Sequence, residues 1–462
     1  MSPISTLPVT CVESETKSSQ AVLEPAARSS KTRWKVMCVD LAAPFDELSC
    51  PASYGGVWVI FFFEGVAFGH CELSREQLPL SSVQLAGVAA RVSAEAVGDC
   101  LFDEGFRSPL PGLPSPKLQD PERALMRLTH CERPLDTLES TAGIAAPDSR
   151  VSVSVAVCTR ERPQDLARCL ASLENLAEAP LEIVVVDNAP ESEATRQVVA
   201  SFPGVRYRCE PRRGLSAARN AALSHATGDV VAFVDDDVVV HPDWMSRISR
   251  CFEDSGVMVA TGLVLPAELE TQAQLMFERD FQFFHQGYRR RRFDSDYFEA
   301  SRATGAQVWT LGAGANMAIR RKAFDLGYRF DTRLGPGVFG GCGEDSEYWY
   351  RVLRDGWTCV YEPAACVFHY HRREMSALRR LVYEYMKGHA AALILQFAKS
   401  GHWGNLHRLF LQLPAEYSML CLRLIATGFC LEDRILLRGS LGCFSGLAFA
   451  FALLKNSSPK TV

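Results

Sequence analysis

The sequence predicts an α/β protein: a mostly parallel sheet in the middle of the chain, a small α+β unit before it and a helical region after it. Three observations predict this. From Arg150 onward, short apolar runs alternate with amphipathic stretches, the rhythm of β–α–β units joined by right-handed crossovers. The apolar runs are almost unbroken Val and Ile, which suits strands covered on both faces. Three of the runs end in polar residues: Cys158-Thr159-Arg160-Glu161-Arg162-Pro163, Asp187-Asn188 and Asp235-Asp236-Asp237. Ligands bind at the carboxyl ends of strands in open α/β sheets, so three such endings in succession mark a ligand crevice.

At 462 residues the chain is long enough for two or three domains, and a hydrophobic share of 47% can build a sizeable core. Residues 1–33 are rich in Ser, Thr, Glu and Lys with few large apolar side chains, and disorder is expected there. Residues 34–106 form the small accessory unit. Val57-Trp58-Val59-Ile60-Phe61-Phe62-Phe63 is strongly β-prone, and Glu64-Gly65 predicts a hairpin turn into Val66-Ala67-Phe68-Gly69-His70. A helix is expected over Val83–Ala96, and no catalytic constellation is evident in this unit. Residues 107–149 begin with the Pro-rich stretch Ser108–Pro116, a linker, with a short helix expected over Pro121–Thr129.

The alternating strand–helix region spans residues 150–373. Strands are predicted over Val151–Cys158, Leu181–Val186, Val205–Arg208, Asp229–Val234 and Val257–Val264. Helices are predicted over Pro163–Leu176, Glu191–Ala200, Gly214–Ala226 and Pro242–Phe252. Residues 266–303 break this rhythm and read as a loop or an acceptor-contacting insertion. Their run Arg289-Arg290-Arg291-Arg292 is either a solvated basic face or an anion site. A last strand reaches His369, and residues 374–462 turn helical and apolar.

Composition narrows the function. A net charge of -5 offers no basic excess for a phosphate backbone, so no nucleic-acid partner is expected. The 16 cysteines are scattered without CxxC pairs or zinc spacing, and the N-terminus shows no basic segment leading into an apolar one. Both point to a reduced, cytoplasmic setting. There is no GxGxxG and no Walker lysine loop.

The aspartate triple is costly without a cation, because three adjacent carboxylates repel. It reads as a site for a hard divalent metal carrying a phosphate, or as a solvated acidic turn. In extended backbone Asp236 points away from Asp235 and Asp237. Gly340-Gly341-Cys342-Gly343-Glu344-Asp345 opens a helix whose dipole favours ionised carboxylates, for catalysis or for capping alone.

The succession VSVAVCTRERPQDLARCLASL, EIVVVDNAP and RRGLSAARNAAL, then ATGDVVAFVDDDVVVHPDWM, resembles the nucleotide-binding half of the family 2 inverting glycosyltransferases. LGAGANMAIRRKAF, GGCGEDSEYWYRVLRDGW and YEPAACVFHYHR continue the likeness through residue 373. It implies a GT-A-type, Rossmann-like fold and transfer of a sugar from a nucleotide-diphosphate-sugar donor to an acceptor hydroxyl with inversion. The acceptor class would be a saccharide or a lipid-linked sugar, as in polysaccharide, glycolipid or glycoconjugate synthesis. The resemblance implies that Asp187 binds the base and that Thr159, Arg160 and Glu161 line the base and ribose pocket. It implies a diphosphate contact for Arg219, with Arg213 the neighbouring candidate and a helix-surface arginine the plain alternative. It places Mg²⁺ or Mn²⁺ on Asp237, puts Asp235 and Asp236 in the donor site with Asp235 at the ribose or the metal, and makes His369, or else His371, a third ligand. It makes Asp345 the general base, with Glu344 binding acceptor or supporting the base. Gly312, Gly314 and Asn316 would lie on the acceptor side, unless Asn316 is structural. Two alternatives are a sugar nucleotidyltransferase, which would release pyrophosphate, and a non-catalytic sugar-binding module.

Near the C-terminus, Gly439–Leu454 is a run of 16 uncharged residues, short of the roughly 20 that span a bilayer. With Arg423, Arg434 and Arg438 close by, it reads as a helix lying on the inner face of a membrane or as one packed on the catalytic region.

Overall fold

The structure is a computed structural model, and it describes residues 33–103, 151–282, 284, 286–427 and 431–457. The expected tail, the Pro-rich linker and the helix over Pro121–Thr129 lie outside the described residues, as do the side chains of Arg423 and Arg434.

The N-terminal unit is a three-stranded sheet backed by a helix. β1 (Trp34–Asp40) runs parallel to β2 (Gly56–Phe63), and β2 pairs antiparallel with β3 (Val66–Ser74). The turn falls on Glu64-Gly65, whose φ values of 47° and 73° are those of the mirror-image turn that matches strand twist. Side chains alternate across a strand, and β2 is buried on both sides. Val57, Val59 and Phe61 pack with Leu85, Val88 and Ala89 of α1 (Ser82–Asp103). Trp58, Ile60 and Phe62 enter the main core beside Leu265 and Leu269. Arg247 fastens the hairpin: its guanidinium donates to the carbonyls of Gly65 at 2.6 Å, Glu64 at 2.9 Å and Ala364 at 3.1 Å.

The main sheet has nine strands. They are β4 (Val153–Thr159), β5 (Glu182–Asn188), β6 (Val205–Glu210), β7 (Val230–Asp235), β8 (Val238–Val240), β9 (Val257–Pro266), β10 (Arg291–Phe293), β11 (Asn316–Arg320) and β12 (Thr358–His369). The order β7-β4-β5-β6 is parallel throughout, connected by α2 (Pro163–Leu173), α3 (Ala194–Ala200) and α4 (Leu215–His225). β11 then inserts antiparallel between β7 and β9, and β12 lies parallel to β9. A parallel nucleotide-type half is thus joined to a second half by one reversed strand.

Residues 266–303 are more ordered than a loop: Gln272–Phe281 is helical, β10 extends the sheet, and Ser295–Ala300 is a short helix. The arginine run is a paired surface, with Arg290 at 3.2 Å from Glu362 and Arg292 at 2.8 Å from Asp254.

Four helices dominate the remainder: α5 (Glu344–Arg354), α6 (Met375–Ser400), α7 (Leu413–Thr427) and α8 (Leu431–Ser457). Gly442 and Gly446 let α8 lie against the backbone of α6, since a Cβ on either would overlap the carbonyl of Tyr383 or Lys387. α8 exceeds the 16-residue expectation: Ile435–Lys455, 21 residues, is the one helix among the described residues long and apolar enough to cross a membrane. It packs along α6, with further contacts to Tyr417 of α7 and to Phe339, while Leu441, Phe444 and Phe451 are exposed, as are Met419 and Leu422 on α7.

Candidate active site

Asp235 closes β7, and Asp236 and Asp237 form the link into β8. The antiparallel pairing of β8 with β12 sets His369 opposite Val238, and Tyr370 N–H donates to the Asp237 carbonyl at 2.9 Å. This register delivers His369 Nε2 to 3.2 Å from Asp237 Oδ1. One ligand atom each from Asp235, Asp237 and His369 lie within 4.8 Å of one another.

Asp236 lies with Asp237 in a turn between the two strands, where strand alternation does not apply, and it stays out of the Asp235–Asp237–His369 group through partners of its own. It is buried, accepts from Thr159 Oγ1 at 2.7 Å, and pairs with Arg162 Nη1 at 2.7 Å. The same Arg162 nitrogen lies 2.7 Å from Asp237 Oδ2. Burial and the Asp237 charge push the Asp236 carboxyl up to about 7. Burial also works on Asp237, but His369 and Arg162 outweigh it and hold that carboxyl well below the usual range. Burial raises Asp235 against the pull of Arg219.

Across the cleft, α5 begins at Glu344 after Gly343, whose φ of 133° an L side chain rarely adopts. Asp345 is half-buried and accepts from Ser346 N at 2.6 Å and Gly314 N at 3.2 Å. Glu344 is buried, and burial together with the Asp345 charge pushes its carboxyl up to about 7. Arg219 of α4 joins the two sides. It is 2% exposed, donates to Glu344 Oε1 at 2.7 Å and to the Gly314 carbonyl at 3.0 Å, and lies 3.6 Å from Asp235 Oδ1. Helix α6 seats the preceding loop: Cys342 N–H donates to the Glu384 carbonyl at 3.1 Å, and any Cβ on Gly388 would fall on the Cys342 carbonyl.

The structure therefore brings Asp235, Asp236, Asp237, His369, Arg219, Glu344, Asp345 and Gly314 into one cluster. Other predicted residues sit elsewhere or do other work. Arg160 pairs with Glu191 at 2.6 Å, and Glu161 accepts from Glu191 N at 2.7 Å and Ser192 Oγ at 2.8 Å, so both brace the loop after β5. The Thr159 hydroxyl is committed to Asp236. Asp187 is fully covered and accepts from Tyr207 Oη at 2.9 Å; its Oδ1 is buried with no hydrogen-bond partner. Arg219 is no helix-surface residue, whereas Arg213 is exposed. Asn316 has no group left for an acceptor: its Nδ2 donates to Leu263 O at 3.0 Å and Ala365 O at 2.8 Å, and its Oδ1 accepts from Trp244 Nε1 at 2.8 Å. Gly312 packs on Thr261. Glu344 holds Arg219 and is not open to an acceptor. His371 stands behind His369, Nδ1 to Nδ1 at 2.9 Å.

The sequence assigns no individual role to Arg162 beyond its place at a strand end, and none to Glu278, which lies 2.9 Å from His371 Nε2. The signal for Arg162 was available, because an arginine just past the end of β4 neighbours the end of β7. Glu278 carried none.

The charges fit a cation. Within the cluster, the carboxylates Asp235, Asp236, Asp237, Glu344 and Asp345 outnumber their basic partners, the guanidiniums of Arg162 and Arg219 and the imidazole of His369. Asp235, Asp237 and His369 supply two carboxylate oxygens and an imidazole nitrogen, a donor set suited to Mn²⁺ or Mg²⁺.

A parallel half-sheet with an acidic cluster at its carboxyl edge, joined by a reversed strand to a second half, is an architecture of the GT-A type. Residues 154–327 match the family described as Glycosyl transferase family 2. The match ends before Asp345 and His369. A succinoglycan biosynthesis protein, ExoM, of Rhizobium meliloti (strain 1021) is 28% identical over 233 residues, 48% of this chain and 67% of the relative. The glucosyl-dolichyl phosphate glucuronosyltransferase of Haloferax volcanii is 28% identical over 190 residues, 40% of this chain and 58% of the relative. The chain thus spans between about half and two thirds of the curated relatives it matches. Among solved structures, a mannosyltransferase from Pyrobaculum calidifontis in complex with GDP-Man and Mn²⁺ aligns over 73% of this chain and 98% of its own, with 17% identity and a TM-score of 0.39.

Proposed function

We propose that this chain transfers a sugar from a nucleotide-diphosphate donor to an acceptor hydroxyl with inversion, using Mg²⁺ or Mn²⁺ at Asp235, Asp237 and His369 and Asp345 as general base. The observation that carries the reading is the Arg219 bridge, which links the metal-type carboxylates to the loop bearing Asp345. When bound, the ion offsets negative charge on the leaving diphosphate. The protein's own groups do the rest. Ser346 N–H and Gly314 N–H aim the Asp345 carboxylate, which takes the acceptor proton as the hydroxyl attacks the anomeric carbon. A single displacement inverts the centre and needs no covalent nucleophile. Arg162 and Arg219 are engaged, whereas Arg372, beside His371, and Arg213 are exposed and make no ion pair among the described residues, so both are cations available to a diphosphate.

The donor test is a panel of nucleotide sugars with and without Mn²⁺. Release of a nucleoside diphosphate that requires the metal supports the reading. Release of pyrophosphate indicates the nucleotidyltransferase alternative, and no turnover or binding indicates a non-catalytic module.

The acceptor is proposed to be saccharide or lipid-linked, met at the cytoplasmic face of a membrane. Leu441, Phe444 and Phe451 follow helical spacing on the exposed side of α8, with Arg438 exposed at its start. The catalytic loop meets this helix, for Phe339 is exposed and its ring centroid lies 5.4 Å from that of Phe449. Changing Phe444 and Phe451 together to serine is expected to shift the protein from sedimenting with anionic vesicles to the supernatant, with the melting temperature little changed. Unchanged sedimentation refutes the membrane contact.

A further inference from the structure

His369 does not stand alone behind the carboxylates. Its Nδ1 lies 2.9 Å from His371 Nδ1, and His371 Nε2 lies 2.9 Å from Glu278 Oε2. Glu278, His369 and His371 are all buried. The rings of Phe277 and Phe284 close around the pair, with centroids 4.4 Å from His371 and 5.3 Å from His369. Gln274 Nε2 donates to the His371 carbonyl at 3.0 Å, which anchors the backbone at His371. Glu278 lies on the irregular helical turn Phe277–Phe281, inside a segment to which the proposed chemistry gives no task.

We propose that Glu278 and His371 are positioning residues that hold His369 with its Nε2 lone pair turned toward Asp235 and Asp237. The inference rests on the metal reading above. Its logic is a chain of single choices. A nitrogen that ligates a cation carries no proton, so the His369 proton sits on Nδ1. That N–H donates to His371 Nδ1, which must accept. The remaining His371 proton therefore sits on Nε2 and donates to Glu278, an acceptor at every protonation state in which it is ionised. Reversing any link puts a proton on the face of His369 that meets the ion. Partners behind a ligating histidine fix its tautomer and ring angle, and their loss typically weakens metal binding about 10–100-fold.

The test is Mn²⁺ titration of the full chain without nucleotide, following free Mn²⁺ by electron paramagnetic resonance, with thermal melting in parallel. Glu278→Gln presents an amide that can donate to His371 and so permits the reversed chain. It is expected to bind Mn²⁺ about 10–100-fold more weakly than the parent. His371→Gln keeps an oxygen acceptor for His369 and is expected to bind more tightly than His371→Leu, which offers none. If all three variants match the parent in Mn²⁺ affinity while their melting points fall, the relay is packing only and the proposal is overturned. If the parent itself takes up no Mn²⁺, the metal reading fails and the relay with it. That result is distinguishable from one in which only the variants and the parent agree.

Discussion

Asp345→Asn is expected to lower turnover about 10²–10⁴-fold while leaving nucleotide-sugar binding near that of the parent, the range that loss of a positioned general base produces. The side chain is suited to this test because its surroundings separate geometry from charge. Asparagine keeps the size and can still accept one of the two hydrogen bonds from Ser346 N–H and Gly314 N–H. The other amide then faces an NH₂ group, an unmet donor costing about 1–3 kcal/mol. A compensating term acts nearby: the Asp345 charge helps raise Glu344, so its removal lets Glu344 ionise more readily beside Arg219. The melting temperature should therefore move little, and pre-steady-state donor binding should persist while product formation stops. Full activity in Asp345→Asn would assign the proton to another group. Loss of both binding and melting stability would show the residue to be structural.

How far the sequence could be read depended on whether its signal was local. The hairpin at Glu64-Gly65 is a two-residue code for a φ-positive turn, and it appears where expected. The strand ends at Thr159, Asn188 and Asp235 follow from an apolar run meeting polar residues, and their parallel pairing follows from the intervening helices. Alternation predicts opposed directions for Asp236 and Asp237 only in extended backbone, whereas the two residues form a turn and share one Arg162 nitrogen. What was not legible is non-local. β11 has the same apolar pattern whether it runs parallel or antiparallel, so nothing in NMAIR announces the reversal that joins the two halves. Asn316 carries an amide of the kind that binds sugars, yet three buried partners 49 to 72 residues distant claim it. Arg219 sits in a motif position, but Glu344, 125 residues later, decides that it is a buried bridge. α8 looked too short because Arg438 interrupts its apolar run, whereas a helix extends through a single charge at its edge and regains the length.

Asp237→Ala is expected to weaken Mn²⁺ binding by at least about 100-fold, since losing a ligand costs no less than losing the partner behind one, and to abolish metal-dependent transfer. The cluster explains why this follows without unfolding. Asp237 is held ionised by His369 at 3.2 Å and by Arg162, and it is one of the two carboxylates in the triad that also includes His369. Removing it leaves Asp235 and His369 as the ion's protein ligands. Arg162 keeps its bond to Asp236 at 2.7 Å, so no guanidinium is stranded in the interior. The like charge that helps push Asp236 toward 7 also disappears, which favours the ionised Asp236–Arg162 pair. These two effects oppose the lost His369 contact, so the metal-free melting temperature should stay close to that of the parent while Mn²⁺ no longer raises it. The metal-induced rise is the sensitive measurement, because binding to the folded state stabilises it in proportion to the logarithm of ligand concentration over Kd. A variant whose melting point still climbs with Mn²⁺ as the parent's does would place the ion elsewhere in the cleft and return the aspartate triple to a solvated turn.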